Sequence, residues 1–225
     1  MIPAHQPTNL SPAMRTITII AILAQPLAAL PINLLTNGSF EAPLLTTTIG
    51  ITGPFTLPGW TGLAPSNGGN AGLVVGIDNG LSPADGRQHF TLNGGNPSDA
   101  GYLEQTIATT AGAAYELTLA VGRAGGGQSL SLSALLLDGA LPITSQTLLP
   151  PPNIGYLTHT LSFTASGPLT TLRLADNSGV NSISDLYVDA VSITQSATIP
   201  DRPAPLIELG AILLILHFAT RRRTC

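Results

Sequence analysis

A small set of side chains in this sequence has the chemistry to hold another molecule. Asp189 lies in the run Val188-Asp189-Ala190-Val191-Ser192-Ile193, and alternation puts its carboxylate on the face of Val191 and Ile193, inward or at a sheet rim. A carboxylate placed there needs a partner or a cation, and backbone amides where the ends of the domain meet would serve as partners. Trp60, the only tryptophan, follows the turn Pro58-Gly59. Exposed, its ring could stack on the C–H face of a sugar; turned inward, it would cover the core beside the first loop. Arg87, Tyr102, Gln105 and Arg123 could line a sheet face and hydrogen-bond to hydroxyl groups, or each could be an ordinary solvated strand residue.

The signatures of catalysis are weak. His5, His89, His159 and His217 share no metal-ligand spacing, and His159 falls on an apolar strand face, where a satisfied structural histidine is expected. The stretch Gly125-Gly126-Gly127 lacks a following Lys-Ser/Thr and precedes a strand, so it reads as a hairpin turn and not a phosphate cradle. Glu104 and Glu116 are two carboxylates whose separation the sequence does not fix, and there is no Gly-x-Ser-x-Gly elbow. The expectation is a protein that is not an enzyme.

The elements that must position these residues read as strands. Of the 225 residues, 44% are hydrophobic and 9% charged, a balance that supports a packed core. Tyr115, Leu117, Leu119 and Val121 alternate with polar or small residues, as do Leu130, Leu132, Ala134 and Leu136, and again Leu157, His159, Leu161 and Phe163. Turn signals separate the runs: Asn79-Gly80, Asp85-Gly86, Asn93-Gly94-Gly95, Asp138-Gly139 and Pro150-Pro151-Pro152. Nine or ten short strands in this arrangement predict an all-β fold, a jelly-roll sandwich of two antiparallel sheets.

The ends differ from this middle. Residues 14–29 read as a signal peptide, with Arg15 as the charged region, an apolar stretch over residues 16–24, and Ala28-Ala29 at the cleavage zone. Met14 then reads as the start, with residues 1–13 an upstream extension. At the other end a linker, residues 197–205, leads into the apolar residues 206–220 and then Arg221-Arg222-Arg223. Fifteen helical residues span about 22 Å, short of the roughly 30 Å hydrocarbon core unless neighbours contribute. The arginines should remain cytoplasmic, which leaves the β-domain, residues 30–196, outside. All eight basic residues are arginine and three lie in this cluster, so the chain has no basic patch for nucleic acid. The single cysteine, Cys225, excludes a disulfide framework.

The tail, with Pro203-Ala204-Pro205 before the apolar segment and the arginine cluster, resembles PEP-CTERM sorting signals, although Glu208 sits inside the apolar segment and not between the prolines. That resemblance implies membrane anchoring and exosortase-type processing. The opening Asn33-Leu34-Leu35-Thr36-Asn37-Gly38-Ser39-Phe40-Glu41, the segments Ala84-Asp85-Gly86-Arg87-Gln88 and Leu103-Glu104-Gln105-Thr106-Ile107, and the closing Val188-Asp189-Ala190-Val191-Ser192-Ile193 together look like galactose-binding-like domains of the choice-of-anchor C type. In similar carbohydrate-binding jelly rolls, the opening Glu and closing Asp help hold a structural calcium ion, here Glu41 and Asp189. The resemblances imply an exported, envelope-anchored, non-catalytic module that binds a polysaccharide or cell-surface glycan. The alternative is a structural or protein-protein adhesion module without sugar affinity.

Overall fold

The computed structural model describes residues 31–65, 70–93, 101–126, 129–178 and 184–196. The expected signal peptide, linker and anchor lie outside the described residues. Among the described residues, no helix is long and apolar enough to cross a membrane.

Twelve strands form: β1 (Ile49–Ile51), β2 (Pro54–Leu57), β3 (Trp60–Leu63), β4 (Asn70–Val75), β5 (Gln88–Asn93), β6 (Tyr102–Ala108), β7 (Ala114–Gly125), β8 (Leu132–Asp138), β9 (Leu141–Leu148), β10 (Gly155–Thr164), β11 (Leu169–Asp176) and β12 (Ser184–Gln195). They make two six-stranded sheets, β1-β4-β5-β12-β7-β10 and β2-β3-β6-β11-β8-β9. Every pairing is antiparallel. The chain passes repeatedly from one sheet to the other, which is consistent with the jelly-roll winding expected from the sequence.

The period-2 patterns explain how the sheets meet. Tyr115, Leu117, Leu119 and Val121 of β7 are buried on one face, as are Leu132, Ala134 and Leu136 of β8 and Leu172 and Leu174 of β11. These side chains, with Phe40, Phe90, Leu103 and Ile193, form one core between the sheets. Two sequence readings need correction. More strands form than the nine or ten expected, because β1, β2 and β3 are too short to show alternation. The Gly125 stretch is not a hairpin, since β7 and β8 belong to different sheets and it carries the chain between them.

The opening segment, residues 33–45, is fastened by side-chain amides rather than by a long ladder. Asn33 Oδ1 accepts from the amides of Leu35 and Ile193, and Leu34 N–H donates to Ile193 O. Gln105 accepts from Thr36 N–H and donates to Thr36 O. Asn37 bonds both backbone groups of Ala42, and buried Gln88 donates to Phe40 O and Pro43 O while accepting from Leu45 N–H. An irregular segment has no ladder to satisfy its backbone groups, so side-chain amides supply the missing partners.

Candidate functional site

The open surface of the first sheet, the face turned away from the core, carries the most developed site. One row crosses all six strands in register: Gly50, Gly72, Thr91, Tyr187, Gly122 and Tyr156. Residues 76–87, which join β4 to β5, fold back over half of this row. Leu81 packs with Val74, Ala124 and Tyr187, and Tyr156 packs against the same cluster. The other half, above β1, β4 and β5, stays open as a groove of about 270 Å³. Thr48, Gly50, Asn70, Gly72 and Thr91 lie along it, and Asp78, Asn79, Asp185 and Tyr187 form its wall.

The wall is held by the turn that the sequence announced. Asp78 and Leu81 exchange backbone hydrogen bonds of 2.9 and 2.8 Å, and Asn79 and Gly80 between them have φ of 46° and 84°. Positive φ at both central residues marks the Asn-Gly type I′ turn. It presents Asp78 to the hydroxyl of Tyr187, which donates to its carboxylate, and Asn79 Nδ2 to Asp185 Oδ2 at 3.2 Å. Among the described residues, those lining the groove include two carboxylates and no Lys or Arg.

Beneath the folded-back segment, His89 stacks on Tyr187 with ring centroids 4.5 Å apart, and its Nδ1 lies 2.6 Å from the hydroxyl of Tyr156. Burial lowers the His89 pKa to about 4 despite the opposing charge of Asp78. Burial also raises both phenols, helped at Tyr187 by its hydrogen bond to Asp78 and at Tyr156 by the charge of Asp189. The three rings are therefore neutral at pH 7, and His89 Nε2 is buried without a partner among the described residues.

The residues proposed from sequence go elsewhere. Trp60 is 1% exposed: its ring stacks on Phe40 at 5.5 Å and its Nε1 donates to Asn37 O, so it covers the core and offers no face to a sugar. Gln105 is buried, and its amide is used on Thr36. Tyr102 is half-buried on β6, with the Arg173 guanidinium 4.5 Å above its ring, and Arg173 pairs with Glu104 at 2.7 Å. Arg123 is buried near the end of β7, with Nε donating to Pro151 O. Arg87 is exposed and lies in the segment joining β4 to β5. These residues are spread over both sheets and the segment joining β4 to β5, and they do not form one site. Glu104 and Glu116 likewise fall in opposite sheets. His159, as expected, is satisfied, with Nε2 2.9 Å from Leu149 O.

Glu41 and Asp189 are brought to the same segment. Glu41 Oε1 accepts from the amides of Arg87 and Gln88, both at 2.7 Å. Asp189 is fully buried: Oδ2 accepts from Ala84 and Asp85 N–H and Oδ1 from Ala190 N–H. Its direction differs from the alternation reading. Val188, Val191 and Ile193 all pack in the core, and the register shifts between Asp189 and Ser192, where Ala190 has φ 49°. This bulge reverses the parity and turns Asp189 onto the open surface of the sheet, under residues 84–85. Burial lifts its carboxyl to about 7, against the pull of the three amides. A calcium ion would neutralise these carboxylates, but here five amide dipoles already face them. Among the described residues, no cluster of three or more His, Cys, Asp and Glu gathers around a possible ion.

The groove residues Asp78, Asp185 and Tyr187 were not singled out from sequence. More than a hundred positions separate the turn from β12, and only the folding-back of residues 76–87 joins them. The available signal was the Asp before Asn79-Gly80, which a two-residue turn must carry at its tip.

No protein-family model matches the chain, and no curated protein matches it. Solved structures similar to it include a putative sugar binding protein from Bacteroides thetaiotaomicron, at 11% identity over 73% of this chain and all of the other, with a TM-score of 0.49. A family 16 carbohydrate binding module is similar at 20% identity over 72% and 99% of the two chains, TM-score 0.45. The enzymatically active domain of a bacteriophage CBA120 tailspike protein is similar at 12% identity, TM-score 0.49, and this chain spans 22% of its length. At these scores the likeness assigns no ligand to this chain.

Proposed function

We propose that this chain is an exported, membrane-anchored, non-catalytic module that binds glycans of the envelope or exopolysaccharide matrix in the groove above β1, β4 and β5. The carrying observation is the lining of that groove. Two carboxylates, two side-chain amides and threonine hydroxyls present hydrogen-bonding groups beside the exposed backbone of Gly50. Carboxylates and amides on a rigid wall suit a hydroxyl-rich ligand, and a lining without Lys or Arg among the described residues suits a neutral one. Tethering by residues 206–225, with exosortase-type processing, and a secretion signal in residues 14–29 complete the proposal from sequence.

The test uses Gly50. This residue is exposed on the edge strand β1, its φ lies outside the left-handed range, and a Cβ there would meet nothing within 4 Å among the described residues. Gly50→Trp should fill the groove without straining the fold. Expected are a loss of about tenfold or more in glycan affinity, by affinity electrophoresis against a polysaccharide panel, and a melting temperature within about 2 °C of wild type. Binding unaffected by the indole would remove the groove from the proposal.

A second reading, adhesion without sugar affinity, draws on exposed apolar side chains at and near the β10 edge: Leu149, Ile154 and Leu157. A folded wild-type chain that binds no glycan would put this reading first.

Calcium at Glu41 and Asp189 enters the proposal as an accessory ligand, not as a condition of folding, because amides already close the segment. An ion would add to the remaining lone pairs of the two carboxylates. The expected result is a rise in melting temperature with millimolar calcium that Glu41→Gln abolishes. No rise in the wild type would remove the ion.

A further inference from the structure

We infer that the groove recognises the end of a neutral glycan chain and not an internal stretch. This inference rests on the glycan-binding reading above and adds to it a direction of entry and a stop.

The row across the sheet is, among the described residues, clear at its β1 end and covered at its β7–β10 end. Among the described residues, nothing lies within 4 Å of the point where a Cβ on Gly50 would stand, and β1 is the edge strand, so a ligand can run out over it. At Gly72, which is buried, the Ile49 carbonyl of β1 leans over the row, 2.5 Å from where a Cβ would stand, so a ligand entering over β1 passes above that carbonyl before it reaches Thr91. Beyond Thr91 the row closes. Tyr187 is 1% exposed, with Leu81 packed on it and His89 stacked against it. The next position, Gly122, lies under the ring of Tyr156, which occupies the space a Cβ would need. Buried Tyr187, half-buried Tyr156 and the folded-back segment thus end the groove across the strands.

The stop is polar. Asp78 and Asn79 stand at it on the tip of a hydrogen-bonded turn, and Asp185 stands beside them. A terminal sugar differs from an internal one by a hydroxyl that the internal residue has spent in its glycosidic bond. That hydroxyl is what a wall of carboxylate and amide can bond, while a continuing chain would collide with Leu81 and Tyr187. The volume agrees: about 270 Å³ falls below the roughly 300–1,000 Å³ of sites enclosing a drug-sized ligand, enough for a chain's last residue. The two carboxylates add that the terminal residue is not anionic, since a uronate would be repelled at short range.

The experiment is calorimetric titration of the full chain in mild detergent. The probe is whichever of dextran, xylan, mannan, galactan and β-glucan binds best, before and after partial hydrolysis has shortened its mean length tenfold. Recognition of ends predicts that binding capacity per gram rises about tenfold, and that Gly50→Trp removes the binding at both lengths. Capacity per gram that stays constant on shortening would overturn the inference while leaving glycan binding intact. End-dependent binding that survives in Gly50→Trp would overturn its assignment to this groove. Absence of binding to all five polysaccharides would instead defeat the reading beneath it.

Discussion

Trp60→Ala should cost the domain about 3–5 kcal/mol, a large share of the roughly 5–15 kcal/mol of an ordinary single domain, and should do so through the core. The indole is among the largest fully buried side chains; it stacks on Phe40, which in turn packs on Phe90 at 5.5 Å. Removing it empties that space and leaves Asn37 O without its Nε1 donor, in the segment that Gln105 and Asn37 also hold. Urea unfolding followed by circular dichroism should show the midpoint collapse. Trp60→Phe, which keeps a ring against Phe40 and loses the hydrogen bond, should recover more than half of the loss. A Trp60→Ala protein as stable as the wild type would mean that the ring is not where the core requires it. Any loss of glycan binding in Trp60→Ala therefore reports unfolding, and the groove must be tested through Gly50.

The second large effect is hidden in the wild type because two groups oppose each other. Asp189 has its carboxyl raised to about 7 from 3.8, mainly by burial. Between those values the folded chain holds a proton that the unfolded chain has released, so this group makes stability fall as pH rises from about 4 to 7. His89 is lowered to about 4 from 6.5, again mainly by burial. Over about pH 4 to 6.5 the unfolded chain holds the extra proton, so this group makes stability rise with pH. Each slope reaches at most about 1.4 kcal/mol per pH unit. Together they should leave the wild type nearly flat from about pH 4 to 6.5, with a decline between about 6.5 and 7. His89→Phe should unmask the falling slope and Asp189→Asn the rising one, both read from urea midpoints at half-unit pH steps. Parallel profiles in all three proteins would refute the assignment of these protons.

The fold was legible wherever local chemistry decides it. The alternation in β7 and β8 marked a buried face, and Asn79-Gly80 marked a turn, which the structure shows to be type I′ with φ above zero at both positions. The parity of Asp189 was not legible. Ala190 adopts a left-handed φ at a bulge, and nothing in an alanine announces that. Counting by twos through the bulge therefore placed the carboxylate on the wrong face. Gln105 and Trp60 were offered as possible ligand groups because amides and indoles do hold sugars, and the alternative given for Trp60, covering the core beside the first loop, is the one the structure shows. Here the irregular opening segment needed them first, and a need that arises from tertiary packing leaves no mark in spacing. The site itself depended on residues 76–87 lying back across their own sheet, a choice made by Leu81 finding Val74, Ala124 and Tyr187 rather than by any local pattern.

The way the domain begins and ends has a mechanical consequence. Leu34 bonds to Ile193 and Gly38 to Val191, so the first and last described segments run antiparallel and leave the fold at the same end of their shared ladder. Force applied between those two ends would load these bonds in succession, as a zipper opens, and not all at once in shear. Such a joint gives way at low tension. If the chain is held by its tail while a bound matrix pulls at the groove, the load passes along β12 to its neighbour β5, while β7 holds β12 along its other edge, and it bypasses the zipper. The same domain would then be weak as a link in series and strong as a hook.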